Sequence, residues 1–129
     1  MEYNVYDEYI IIIKTKLKQA DFNDALEYAG RMIEYDSSNP SGHYFRGLCY
    51  YGMDDYIRSI DEYIAAIRID PDYAKAYFNM ALSKYRLGIP KEALEDVYKA
   101  RDIFMRAADQ DALDKCNMTI ELLNEDLAI

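Results

Sequence analysis

One spacing constrains this chain more than its composition does. Four sets of residues line up at intervals of 34: Ala25, Ser59 and Ala93; Tyr9, His43 and Tyr77; Ile13, Gly47 and Ala81; Met32, Ala66 and Ala100. Asp36 and Asp70 keep the same interval, each placed to close a helix. A fixed period of that length marks a repeat array, in which one supersecondary unit stacks on the next.

The centre of the array shows what the unit is. Gly47 has no side chain to hold a neighbouring helix away, and Tyr50 lies one turn further along the same face. The stretch Gly52-Met53-Asp54-Asp55 turns the chain. Tyr63 and Ala66 then repeat the pairing of large with small on the next helix. Pro71 cannot continue that helix, so the chain turns again. The unit is a helix–turn–helix hairpin.

Its signature residues fall in sequence. The central unit carries His43, Arg46-Gly47, Tyr50, Ser59, Tyr63 and Pro71. The third carries Tyr77, Met80-Ala81, Lys84, Ala93 and Val97, with Leu87-Gly88 at the turn. The first carries Tyr9, Ile12-Ile13, Lys16, Ala25 and Ala29. On these residues the chain resembles the tetratricopeptide repeat family, in units 6–39, 40–73 and 74–107. Four positions depart from the family pattern. Arg46 stands where Leu is usual, His43 where Trp, Leu or Tyr is usual, and Ser37 and Met105 replace a closing Pro. The resemblance implies an all-α, right-handed α-solenoid of three helix–turn–helix repeats. A capping helix at about 108–126 completes seven helices in a single domain, 1–129.

Local signals place the helices. The spacing predicts them over 6–19, from Asp21 to about Tyr35, from Pro40 to Gly52, from Asp55 to Ile69, over 74–87, and from Pro90 onward. Asn39, with Pro40 at the first helical position, reads as a start signal. Glu95–Lys99, Asp102–Arg106 and Asp54–Arg58 are expected i,i+4 pairs. Gly30 inside the second helix costs about 1 kcal/mol against Ala, which is tolerable if a neighbour packs against it. Residues 1–5 and 124–129 read as loose ends. The last helix presents Ala112, Leu113, Cys116, Ile120 and Leu123 as one apolar face, and its other faces are mostly acidic. It reads as a polar-faced cap.

Composition narrows the function. The net charge of −9 on 129 residues disfavours nucleic acid and anionic membrane surfaces. Two cysteines, Cys49 and Cys116, have no metal-ligand spacing and suggest a reducing, cytoplasmic setting. No signal peptide and no run of about 20 apolar residues is visible. No catalytic residue, cofactor or metal ligand is expected. His43, the one histidine, occupies a slot for a packed aromatic. No nucleophile or carboxylate spacing supports it, and there is no phosphate-cradling Gly-rich loop.

The resemblance instead implies a concave surface lined by the first helix of each unit. The family's contact slots give Ile10, Lys14 and Lys18 from the first unit. They give Tyr44, Leu48 and Tyr51 from the second, and Lys75, Phe78, Asn79, Leu82, Tyr85 and Arg86 from the third. With Asp7 included, Lys14, Lys18, Lys75 and Arg86 leave the slots net basic within an acidic chain. That asymmetry favours a protein or peptide partner that is both acidic and apolar. The slots of the family's chaperone-tail clamp hold Ile10, Lys14, Phe45, Lys75 and Asn79. Only Lys75 matches in type, so that ligand is not expected. The function implied is a non-enzymatic, co-chaperone-like adaptor or scaffold. Two alternatives stand beside it. One is self-association through the groove or a stack end into a homo-oligomer; the other is a regulatory domain of a larger enzyme or secretion assembly.

Overall fold

Carboxylate and amide side chains set the helix starts. In the computed structural model, which describes residues 4–128, Asn4 Oδ1 accepts from the Tyr6 N–H at 2.9 Å and opens α1 (Val5–Lys18). Val5 is therefore already helical; Met1–Tyr3 of the expected lead-in, and Ile129, lie outside the described residues. Asp21 opens α2 (Phe22–Tyr35) and Asp55 opens α4 (Tyr56–Ile69), each accepting from a backbone N–H three residues on. Asp109 does the same for α7 (Gln110–Leu127). Asn39 Oδ1 takes the Ser41 N–H at 3.0 Å, and Pro40 is already in helical conformation before α3 (Ser41–Gly52). α5 (Ala74–Arg86) has no side-chain cap. α6 (Pro90–Arg106) begins on Pro90, whose missing N–H costs nothing there.

The stops repeat as well. At Asp36 and Asp70 the backbone leaves helical space, and each N–H closes onto the carbonyl four residues back, Met32 or Ala66. Each carboxylate then accepts from the N–H two residues on, that of Ser38 at 3.1 Å and that of Asp72 at 3.0 Å. Phe104 occupies the equivalent position of the third pair and offers no such oxygen. α6 accordingly runs 17 residues, where α2 and α4 run 14. The turn inside each hairpin places one residue in left-handed conformation: Ala20 at φ 55°, Asp54 at 59° and Gly88 at 80°. These again lie 34 apart. Only the third is glycine, so the first two carry a strain that glycine avoids.

Packing follows the period. Each helix packs on its chain neighbours, and α3 also touches α1 and α5, so the first helices form a row. Gly47 is the close approach the sequence implies: a Cβ built there would lie 2.5 Å from Tyr63 Cε1 and 2.8 Å from Cδ1. Tyr63 is fully buried, among Ala66, Ala76 and Met80. Ile13, Ala25, Ala29, Met32 and Cys49 fill the core below α1–α3, and Ala81, Ala93, Val97, Ala100, Cys116, Ile120 and Leu123 fill it at α5–α7. Burial pushes the Cys49 thiol up to about 12. Gly30, by contrast, has nothing within 4 Å of a built Cβ, so no packed neighbour offsets its cost.

The two family departures in α3 explain each other. His43 Nδ1 and Arg46 Nε each lie 2.9 Å from one oxygen of the half-buried Glu62 on α4. A polar trio thus replaces the usual apolar contact. The surface pairs expected at i,i+4 are not the ones formed. Arg106 reaches Asp72 at 3.3 Å, Arg58 sits 3.6 Å from Asp55, and Lys99 lies over the Tyr77 ring at 5.6 Å. α7 continues to Leu127, past the start of the expected loose tail. Its outer face is not uniformly polar, since Met118 and Leu122 are 64% and 62% exposed. No helix among the described residues is long and apolar enough to cross a membrane.

Candidate protein-binding groove

α5 builds the floor of the groove. Lys75, Phe78, Asn79 and Leu82 are spaced three and four apart, which puts them on one helical stripe. The Asn79 amide donates to the Lys75 carbonyl at 2.8 Å and to the Tyr44 hydroxyl at 3.3 Å, tying the stripe to α3. Tyr44 is held in turn by edge contacts to Phe45 and Tyr73, with ring centroids 5.3 and 5.4 Å apart. Loss of solvent pushes its phenol up to about 12, so it stays neutral and acts as a fixed wall.

The second wall comes from the end of α6 and from α7. Phe104, Asp109, Asp111, Ala112 and Lys115 complete a cavity of about 670 Å³ with the α5 stripe and Tyr44. A smaller cavity of about 240 Å³ follows it along the same two helices, between Leu82 and Tyr85 on one side and Leu122 on the other. A third, of about 610 Å³, opens at the far end of the array beside Tyr6, Ile10 and Tyr35.

The structure therefore gathers five of the twelve slot residues: Tyr44, Lys75, Phe78, Asn79 and Leu82 line the main cavity. Tyr85 lines the small one and donates to Asp126 Oδ2 at 2.7 Å. Leu48 is half-buried and packs against the core on both sides of α3. Ile10 belongs to the distant cavity. Lys14 and Lys18 are exposed on α1 and line none of the three cavities. Tyr51 and Arg86 turn toward α4: Tyr51 stands edge-on to Tyr56 at 5.4 Å, and the Arg86 guanidinium lies 5.1 Å over that same ring.

The charge also differs from the expected net-basic set. Lys75 and Lys115 are balanced by Asp109 and Asp111, all lining one cavity. The α7 contributors lie outside the three repeats, so the family's contact slots do not reach them. A second stripe was available at the same spacing: Ala112, Lys115, Thr119, Leu122 and Asp126. Among the described residues no cluster of three or more His, Cys, Asp and Glu side chains is placed to hold a metal.

A TPR repeat family model matches residues 55–88, which span α4 and α5. The small glutamine-rich tetratricopeptide repeat-containing protein 2 of Saccharomyces cerevisiae is 29% identical over 83 residues, 64% of this chain and 24% of the relative. Residues 55–88 thus match a tetratricopeptide repeat, and the chain as a whole has the all-α helical-repeat fold of such domains. It spans less than a quarter of the length of the curated relatives it matches. Two solved structures share its fold nearly end to end. The TPR2B domain of yeast Sti1, in its pHsp70 complex, superposes with a TM-score of 0.86 at 17% identity, covering 94% of this chain and 97% of that one. The Yersinia enterocolitica type III secretion translocator chaperone SycD, in an alternative dimer, gives 0.89 at 13% identity, covering 99% and 98%.

Proposed function

We propose that this chain is a non-enzymatic adaptor that holds a peptide or helix of a partner protein in the α3–α5–α7 groove. The observation that carries the reading is the cavity of about 670 Å³. Its apolar lining is Phe78 and Leu82 on the floor with Phe104 and Ala112 on the wall, and Tyr44 and Asn79 are already hydrogen-bonded to each other. A preformed concave surface with an apolar floor and a few oriented polar groups is what captures a side-chain-rich segment. The part of the segment that meets this cavity is acidic and apolar: a large side chain covers Phe78 and Leu82, and carboxylates meet Lys75 and Lys115. A pHsp70 complex among the fold's neighbours supports peptide capture as a use of this architecture. Two buried free thiols support a reducing, cytoplasmic setting.

Phe78→Glu places a charge on the groove floor without touching a fully buried position. It should abolish recovery of peptides from a displayed random library while far-UV circular dichroism keeps the wild-type helix content. Undiminished recovery would remove this cavity from the reading.

A second reading is self-association, favoured by the exposed Met118 and Leu122 on α7 and by the dimer of the SycD neighbour. Light scattering separates the two: the adaptor stays near its own 15.1 kDa across concentration, and the self-assembling scaffold does not.

A further inference from the structure

The small cavity differs from the main one in chemistry. The two share Leu82, so they form one cleft with α5 and α7 as walls. The floor of the small part is closed by Ala81 and Leu123, 1% and 4% exposed, while Tyr85 and Leu122 stand open at its mouth, 45% and 62% exposed. Its charged lining is Glu125 and Asp126, with no basic residue. The Tyr85 hydroxyl donates to Asp126 at 2.7 Å and fixes that carboxylate at the rim.

A second observation has the same sign. α7 ends one residue beyond Asp126, and its last turn has no basic side chain. The negative end of that helix dipole is therefore left uncompensated at the same place. The Tyr85 ring adds a face to which a cation is attracted.

We propose that this part of the cleft is a separate subsite for a large apolar side chain accompanied by Lys or Arg. Its charged lining is acidic only, whereas the main cavity sets Asp109 and Asp111 against Lys75 and Lys115. The assignment rests on the groove reading above, which it extends. The rise of α7 from Lys115 to Asp126 is about 16 Å. An extended ligand that meets Lys115 with a carboxylate and Asp126 with a cation therefore carries those two charges about five residues apart. The bound segment is bipolar, not simply acidic.

The test uses a random peptide library displayed on phage, selected in parallel on the full chain and on Glu125→Lys/Asp126→Lys. Both positions are exposed, so the double variant leaves the core untouched. Wild type should enrich sequences with Lys or Arg beside a large apolar residue, and the reversed variant should lose that enrichment. A recovered peptide, synthesised, should bind the reversed variant about tenfold more weakly. Indistinguishable selections on the two proteins would overturn the subsite. If those peptides nevertheless fail on Phe78→Glu, the groove stands and only the subsite falls. Failure of wild type to select any peptide would overturn both.

Discussion

Gly47 and Gly30 both sit inside helices, yet the same substitution should move them in opposite directions. Replacing a mid-helix glycine with alanine gains about 1 kcal/mol from backbone entropy alone. At Gly30 nothing lies within 4 Å of the new methyl group, so Gly30→Ala should keep that gain. At Gly47 the methyl meets three ring carbons of Tyr63 at 2.5, 2.8 and 3.0 Å. Tyr63 is 0% exposed and is packed among Ala66, Ala76 and Met80. Overpacking of this kind costs roughly 1–3 kcal/mol, and the rigid ring puts Gly47 in the upper part of that range. The net loss for Gly47→Ala is then about 1–2 kcal/mol. The two variants should differ by about 2–3 kcal/mol, or roughly 10 °C in Tm for a chain of this size. Urea titrations followed by far-UV circular dichroism measure both. Adding Tyr63→Phe should not rescue Gly47→Ala, because the colliding atoms are ring carbons that phenylalanine keeps. Gly47→Ala at or above wild-type stability would refute the close-packing argument. It would also remove the physical reason given for the residue at the centre of the repeat.

Other outcomes follow from the same geometry. Ala20→Gly and Ala108→Gly each relieve a left-handed alanine, at φ 55° in both cases, and should stabilise by about 1 kcal/mol in the same titration. The buried phenols give a pH dependence. Burial raises Tyr63, Tyr73 and Tyr6 and pushes Tyr44 up to about 12. The unfolded chain releases these protons near about pH 10, while the native state still holds them. The native state thus binds more protons in the window from about 10 to 12, and stability falls as pH rises through it. The urea midpoint should hold to about pH 9 and then decline, with a shallower slope in Tyr44→Phe.

The architecture was legible because each signal lay within a few residues of its effect. Asp36 and Asp70 stop their helices by bonding the next turn, and Asp21 and Asp55 start theirs through the N–H three residues on. The 34-residue period carries those local events into register, so a reading of the spacing recovers the stack. Four residues of the α5 stripe were legible for the same reason: their spacing alone puts them on one face. What failed depended on other helices. Tyr51 and Arg86 occupy groove positions by spacing but are drawn to the Tyr56 ring, a contact set by how α4 lies against α3 and α5. The charge balance of the cavity depends on Asp109 and Asp111, which come from outside the repeats. They reach the cavity where α7 begins, and that point is displaced from the repeat frame because Phe104 does not stop α6 as Asp36 and Asp70 stop theirs. His43 and Arg46 looked like departures from a pattern until Glu62, on the neighbouring helix, supplied the reason for both.

The central claim is that partners bind between α5 and α7, and backbone-amide NMR of the full chain titrated with a library-selected peptide tests it most directly. The account predicts shifts concentrated at Lys75, Phe78, Asn79 and Leu82 on α5 and at Ala112 and Lys115 on α7, with α2 and α4 unchanged. Shifts centred instead on α2 and α4, with the α5 and α7 residues silent, would contradict it and put the binding surface on the opposite side of the array.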